Sequence, residues 1–191
     1  MKIQRIHHVA YRCNDAKETV EFYQKVMNMD LILAIAEDEV PSTKEPDPYM
    51  HLFLDAGNGN VLAFFELPNS PAMGKDGNTP EWVQHIAFEL ESMDELLEAK
   101  ARAEAHGLKV LGPTDHGIFQ SIYFFDPNGH RLELAVNTLE EGMIDELKRV
   151  APAMIESWSK TKQAPKHAAW LHNGEDFREY AKKSIEELDA L

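Results

Sequence analysis

The chain repeats itself, and the repeat limits the folds open to it. His8-Val9-Ala10-Tyr11 and His85-Ile86-Ala87-Phe88 correspond position by position at an offset of 77 residues. Each is followed by a stretch with helical spacing and then by strand-like runs. In the first half, residues 5–13 alternate as a strand, Asn14 or Asp15 offers an N-cap for a helix over 16–29, and strands are expected at 31–36, 50–54 and 61–67. Residues 37–49 carry Pro41, Pro46 and Pro48 and read as a loop. In the second half the order recurs: a strand over 82–90, a helix over 92–106 closed by Gly107, a strand over 108–111, and two strands joined by Asp126-Pro127-Asn128-Gly129. That tetrapeptide is a tight turn, with proline pre-setting one φ and glycine free to take a positive one. The sequence thus predicts an α+β protein of two tandem β-α-β-β-β modules, about 1–70 and 80–138. A helical extension follows over 139–191, with helices at 140–160 and 176–188.

Glu133 stands in the middle of the last strand of the repeat. Leu132, Leu134 and Val136 share one face of that strand, and Arg131, Glu133 and Ala135 share the other. A carboxylate inside a strand must be solvated, paired or bound to a cation, because stripping its water without compensation costs several kcal/mol. His8 and His85 occupy matching repeat positions on the smaller, more polar faces of their strands. Two imidazoles and one carboxylate with positions left open is the donor set of non-haem iron centres. The expectation is that the duplicated sheet gathers His8, His85 and Glu133 around one divalent ion, Fe(II) first, with Mn, Zn, Ni or Co as alternatives. His7, one residue off, points to the opposite face. Glu66, at the end of its strand, is a candidate fourth ligand, although aligning the two hairpins by Gly59 and Gly129 sets Ala63 against Glu133.

These features resemble the vicinal oxygen chelate superfamily, the glyoxalase, bleomycin-resistance and extradiol dioxygenase group, over about residues 3–138. The resemblance implies paired modules that wrap their sheets into an open cup around one divalent metal. Thr114-Asp115-His116, then Ile122-Tyr123, Asp126-Pro127-Asn128-Gly129 and Glu133, is similar to the signature of extradiol ring-cleavage dioxygenases. It implies that His116 and Tyr123 donate hydrogen bonds to a catechol-like small molecule or to oxygen at the metal. Residues 68–84 lack the additional histidine that two-domain extradiol enzymes carry there. The alternative within the superfamily is a glyoxalase I-like lyase or isomerase using Glu66, with Arg12 holding a substrate carboxylate. A metal-free drug-binding protein is the non-enzymatic reading, against which the intact His8, His85 and Glu133 set argues. A homodimer is also implied.

A net charge of −14 repels phosphate backbones, and no basic patch interrupts it, which argues against nucleic acid as a partner. No apolar run reaches the roughly 20 residues of a membrane span. The single cysteine, Cys13, has no internal disulfide partner. Together these lead to the expectation of a cytoplasmic protein without a membrane partner.

Overall fold

The computed structural model describes residues 2–191. Its first module comprises β1 (Val9–Cys13), α1 (Ala16–Met27), β2 (Leu31–Glu39), β3 (Pro46–Asp55) and β4 (Val61–Glu66). The second comprises β5 (Ile86–Glu89), α2 (Met93–Ala105), β6 (Leu111–Asp115), β7 (Phe119–Phe125) and β8 (Arg131–Asn137). Each module forms a four-stranded mixed sheet, ordered β1-β4-β3-β2 and β5-β8-β7-β6. The first strand of each pairs in parallel with the last, and the remaining pairings are antiparallel.

Local chemistry starts the helices where the sequence indicated. Asp15 accepts a hydrogen bond from the Glu18 amide, and Ser92 accepts one from Glu95. Both helices pack on the sheets in one apolar core: Tyr23 and Val26 from α1, Leu96, Ala99 and Ala103 from α2, Leu52, Leu54, Leu62 and Phe64 from the first sheet, and Ile122, Phe124, Leu132 and Leu134 from the second. The odd-numbered residues of β7 and β8 and their counterparts in the first sheet are left on the faces away from the helices.

Strand limits depart from the sequence reading wherever a partner strand decides them. The strands expected over 5–13 and 82–90 begin at Val9 and Ile86, because pairing starts at Val9 with Leu62 and at Ile86 with Leu132. The expected loop over 37–49 is shorter. β3 begins at Pro46, opposite Glu39 on the edge strand β2, where a missing N–H breaks no inner ladder. The strand expected over 108–111 forms over Leu111–Asp115, with Pro113 on the edge of the second sheet.

The Asp126 turn ties the modules together. Asp126 is buried, and its Oδ1 accepts from the amides of Asn128 and His130 at 2.9 and 2.8 Å. Its Oδ2 accepts from the Tyr23 hydroxyl of α1 at 3.1 Å. Asn128 accepts from the Asn14 amide and donates to Thr19, while the His130 ring reaches the Arg12 carbonyl. Burial first, then the charge of Asp126, raises the Tyr23 hydroxyl well above the ordinary tyrosine range and keeps it a donor. Asp126→Ala is expected to cost about 3 kcal/mol in urea denaturation, because it orphans a buried hydroxyl and two turn amides. Tyr23→Phe should cost about 1 kcal/mol, and a loss of that smaller size in the Asp126 variant would remove the turn as a tie.

The extension forms α3 (Met143–Thr161), α4 (Trp170–Asn173), α5 (Phe177–Ala181) and α6 (Ile185–Asp189). The helix expected over 176–188 is thus two, the second restarted by a Ser184–Glu187 capping box. Val150, Trp170, Phe177, Tyr180 and Leu188 form a second apolar cluster that also packs Ile118, beside the His116 loop. Among the described residues, no helix is long and apolar enough to cross a membrane.

Candidate metal centre

β8 places Glu133 on the face away from the helices, directly opposite Tyr123 on β7 and beside Ala87 on β5. Glu133 is only 3% exposed, so its carboxylate depends on the groups around it. Oε1 accepts from the Ser121 hydroxyl and, at 3.0 Å, from the Tyr123 hydroxyl. Oε2 faces His85 Nε2 at 2.9 Å. The Tyr123 hydroxyl also lies 2.9 Å from His116 Nε2, giving a continuous chain from His116 through Tyr123 to Glu133. Burial, reinforced by the hydrogen bond to Glu133 and its charge, raises the Tyr123 hydroxyl above its usual range, so at neutral pH it is a proton donor. His116 is held by the hydrogen bond its amide donates to the Phe119 carbonyl and by stacking of the two rings at 4.6 Å.

The donor set fits a divalent cation. His85 Nδ1 is 3.1 Å from the Val83 carbonyl, the backbone anchor that commonly fixes the tautomer of a metal-bound histidine. In the tautomer selected by that bond, Nε2 carries its lone pair toward Oε2. Two electron-rich atoms 2.9 Å apart need a proton or a cation between them. The separation is also that of two donors at adjacent positions of a first-row ion, given bonds of about 2.1 Å at a right angle.

The remaining candidates lie elsewhere, and the expectation of three ligands converging within one chain is corrected here. Among the described residues, no three His, Cys, Asp or Glu side chains form a group able to hold an ion. His8 directly precedes β1, as His85 precedes β5, but β1 belongs to the first sheet and β5 to the second. The Nδ1 of His8 lies 2.8 Å from His7 Nδ1, and its ring is near His51 and Phe53. The register explains why the first sheet has no equivalent of the acid: Ala10 pairs with Ala63 where Ala87 pairs with Glu133. Glu66 is not brought to His85 and Glu133. It shares the helix-facing side of β4 with Leu62 and Phe64, and its carboxylate accepts from the Ala16 amide at 2.6 Å, at the start of α1. Arg12 donates to the Pro71 carbonyl at 2.6 Å and so fastens the loop between the modules.

Two residues of the site were missed in the sequence. Ser121 is fully buried against Glu133, and its signal was a small polar residue in step with Tyr123 on an otherwise bulky strand. Arg131 lies over the Tyr123 ring at 4.4 Å, and its signal was shared parity with Glu133.

The comparisons agree with this architecture. The chain is 29% identical over 145 residues to the putative ring-cleaving dioxygenase MhqA of Bacillus subtilis, a match covering 74% of this chain but 42% of that protein. It spans less than half of that relative. It is 23% identical to the metallothiol transferase FosB of Staphylococcus epidermidis, covering 75% of this chain and 89% of FosB. The crystal structure of the fosfomycin resistance protein FosX of Listeria monocytogenes superposes with a TM-score of 0.53 at 26% identity, over 73% of this chain and 98% of FosX. A family model described as Glyoxalase/Bleomycin resistance protein/Dioxygenase superfamily matches residues 5–134. By that match, and by a duplicated β-α-β-β-β fold with an acid on the last strand, this chain belongs to the glyoxalase, bleomycin resistance protein and dioxygenase superfamily.

Proposed function

We propose that the protein is a divalent-metal enzyme that opens the ring of a catechol-like small molecule with dioxygen. In this reading each centre is completed by two copies of the chain: His85 and Glu133 come from one, and His8 from the other. The observation that carries the chemistry is the hydrogen-bonded chain His116–Tyr123–Glu133, which gives physical form to the spacing of the extradiol signature. The match to MhqA, whose name denotes ring cleavage, supports the same choice.

The two-copy centre is supported by what each sheet leaves open. On the first sheet, Leu33 and Ile35 are 44% and 42% exposed opposite Phe53 and His51. The His51 ring stacks on Phe65 at 3.6 Å, and its Nε2 is buried without a partner. That face is apolar, aromatic and flanked by His8, while the matching face of the second sheet holds His85 and Glu133 without a third ligand. A two-fold pairing of the faces supplies the missing imidazole twice over, once in each direction.

A bound Fe(II) would act as a Lewis acid toward two adjacent hydroxyls and bring dioxygen beside them. The protein's own contribution is to place protons. Ser121 and Tyr123 hold Oε1 of Glu133, which leaves Oε2 and His85 Nε2 as the two donors facing the cation. The single O–H of Tyr123, which rests on Oε1 of Glu133, turns to the oxygen of a bound substrate and leaves Ser121 to hold Oε1. His116, joined to the Tyr123 hydroxyl at 2.9 Å, takes up or returns that proton, so charge developing on oxygen meets a donor already in place.

Oxygen uptake by anaerobically Fe(II)-loaded protein tests this with a panel of catechols. One dioxygen consumed per catechol, with a yellow ring-opened product, is expected. Tyr123→Phe should lower kcat about 10- to 100-fold. The second reading is modification of a fosfomycin-like epoxide, favoured by the match to 89% of FosB and 94% of a FosX. Consumption of fosfomycin in the presence of a thiol or water, with no oxygen uptake on any catechol, would select it.

A further inference from the structure

We propose that Arg131 is an anion-recognition residue and that the substrate is a catechol-like molecule bearing a carboxylate; this deepens, and rests on, the reading that a small chelating molecule docks at His85 and Glu133. A cavity of about 700 Å³ opens beside His85 and is lined by Tyr11, Lys75, Phe125, His130 and Arg131 among others. Its charged groups are satisfied with one exception. Lys75 pairs with Glu81 at 3.1 Å. Asp76 accepts from the Asn78 amide and the Thr79 hydroxyl. Arg131 has neither a carboxylate partner nor a hydrogen-bond acceptor among the described residues, and its Nε is buried without one.

A guanidinium carries five N–H donors in a planar fork and cannot discard its charge, so removing water from part of it without an acceptor is costly. The Tyr123 ring fixes its plane from one side, with Cζ 4.4 Å from the centroid. A guanidinium whose face is taken by an aromatic ring still has its edge available for a bidentate oxyanion.

Position supplies the second part of the argument. Arg131 and Glu133 project from the same face of β8, about 6.6 Å apart along the strand. A molecule that meets His85 and Glu133 through two adjacent oxygens therefore carries its far substituent toward Arg131 when the two are separated by one aromatic ring. In a chain of net charge −14, a local unpaired cation also gives an anionic ligand a reason to enter this cavity. Arg12, the residue the sequence suggested for this role, also has a buried Nε without a partner, but it donates to the Pro71 carbonyl and does not line this cavity.

The test is equilibrium binding by calorimetry under anaerobic conditions, using metal-loaded protein with 3,4-dihydroxybenzoate and 4-methylcatechol as a matched pair. Wild type should bind the carboxylate at least about 10-fold more tightly, the discrimination expected of a charge-assisted bidentate contact. In Arg131→Gln the ratio should collapse to within about 2-fold, and Arg131→Lys should keep part of it. No preference in wild type, no measurable binding of the carboxylate, or a preference that survives in Arg131→Gln would each overturn the proposal. Because binding is read without turnover, the two ideas fail separately. A carboxylate preference lost in Arg131→Gln but without oxygen uptake upholds this site and removes ring cleavage, whereas oxygen uptake with no such preference does the reverse.

Discussion

Glu133→Gln is expected to fold normally and to lose its metal. The substitution keeps the shape of the side chain and leaves an amide oxygen for the Ser121 and Tyr123 hydroxyls, so the hydrogen bonds around Oε1 survive. It removes the one negative charge in the group, and with it the donor at Oε2 that faces His85 Nε2. Loss of outer partners of a metal site typically costs 10- to 100-fold in affinity, so loss of a ligand should cost at least about 100-fold, and turnover should fall further. Stability of the metal-free protein should hold or rise, since a buried carboxylate is exchanged for a neutral group of the same size. Titration of metal-free protein with Mn(II) and a thermal melt check both halves. Undiminished binding with a lowered Tm would mean that Glu133 serves only the packing of β8 on β7.

His8→Ala should be almost as damaging to metal binding as Glu133→Gln, although His8 stands beside the other sheet of the chain. His7→Ala should cost much less, even though the two rings touch through their Nδ1 atoms at 2.8 Å. The contrast follows from position: His8 stands where His85 stands, one residue before the first strand of its module, and that strand pairs in the same parallel register with the last. Both variants should fold, because both side chains are exposed. Equal loss in the two would assign the effect to disturbance of the segment before β1.

Much of this architecture was legible in the sequence because its causes are local or repeated. Asp126-Pro127-Asn128-Gly129 forms its turn from its own chemistry, with Gly129 at φ +86°. Duplication announced the two modules, and strand alternation put Glu133 opposite Leu132 and Leu134. The same alternation, applied to Val61–Glu66, sets Glu66 with Leu62 and Phe64 toward the helices, so its place at the start of α1 was readable as well. Strand ends were not, since Val9 and Ile86 begin their strands only where Leu62 and Leu132 stand to receive them. The separation of His8 from His85 was hidden for a deeper reason. A repeat states that two residues are equivalent, but equivalence does not say whether their faces meet within one chain or across two. Arg131 was overlooked because its significance lies in lacking a partner, which alternation alone does not reveal.

Mixing His8→Ala and Glu133→Gln proteins, each inactive alone, tests the centre most directly. If His8 of one copy completes the His85 and Glu133 pair of another, a mixed dimer holds one intact centre and one doubly damaged one. After subunit exchange, an equimolar mixture should recover about a quarter of wild-type metal binding and activity, since random pairing gives half mixed dimers with one working centre each. No recovery, in a mixture shown to contain the mixed dimer, would contradict a centre shared between copies.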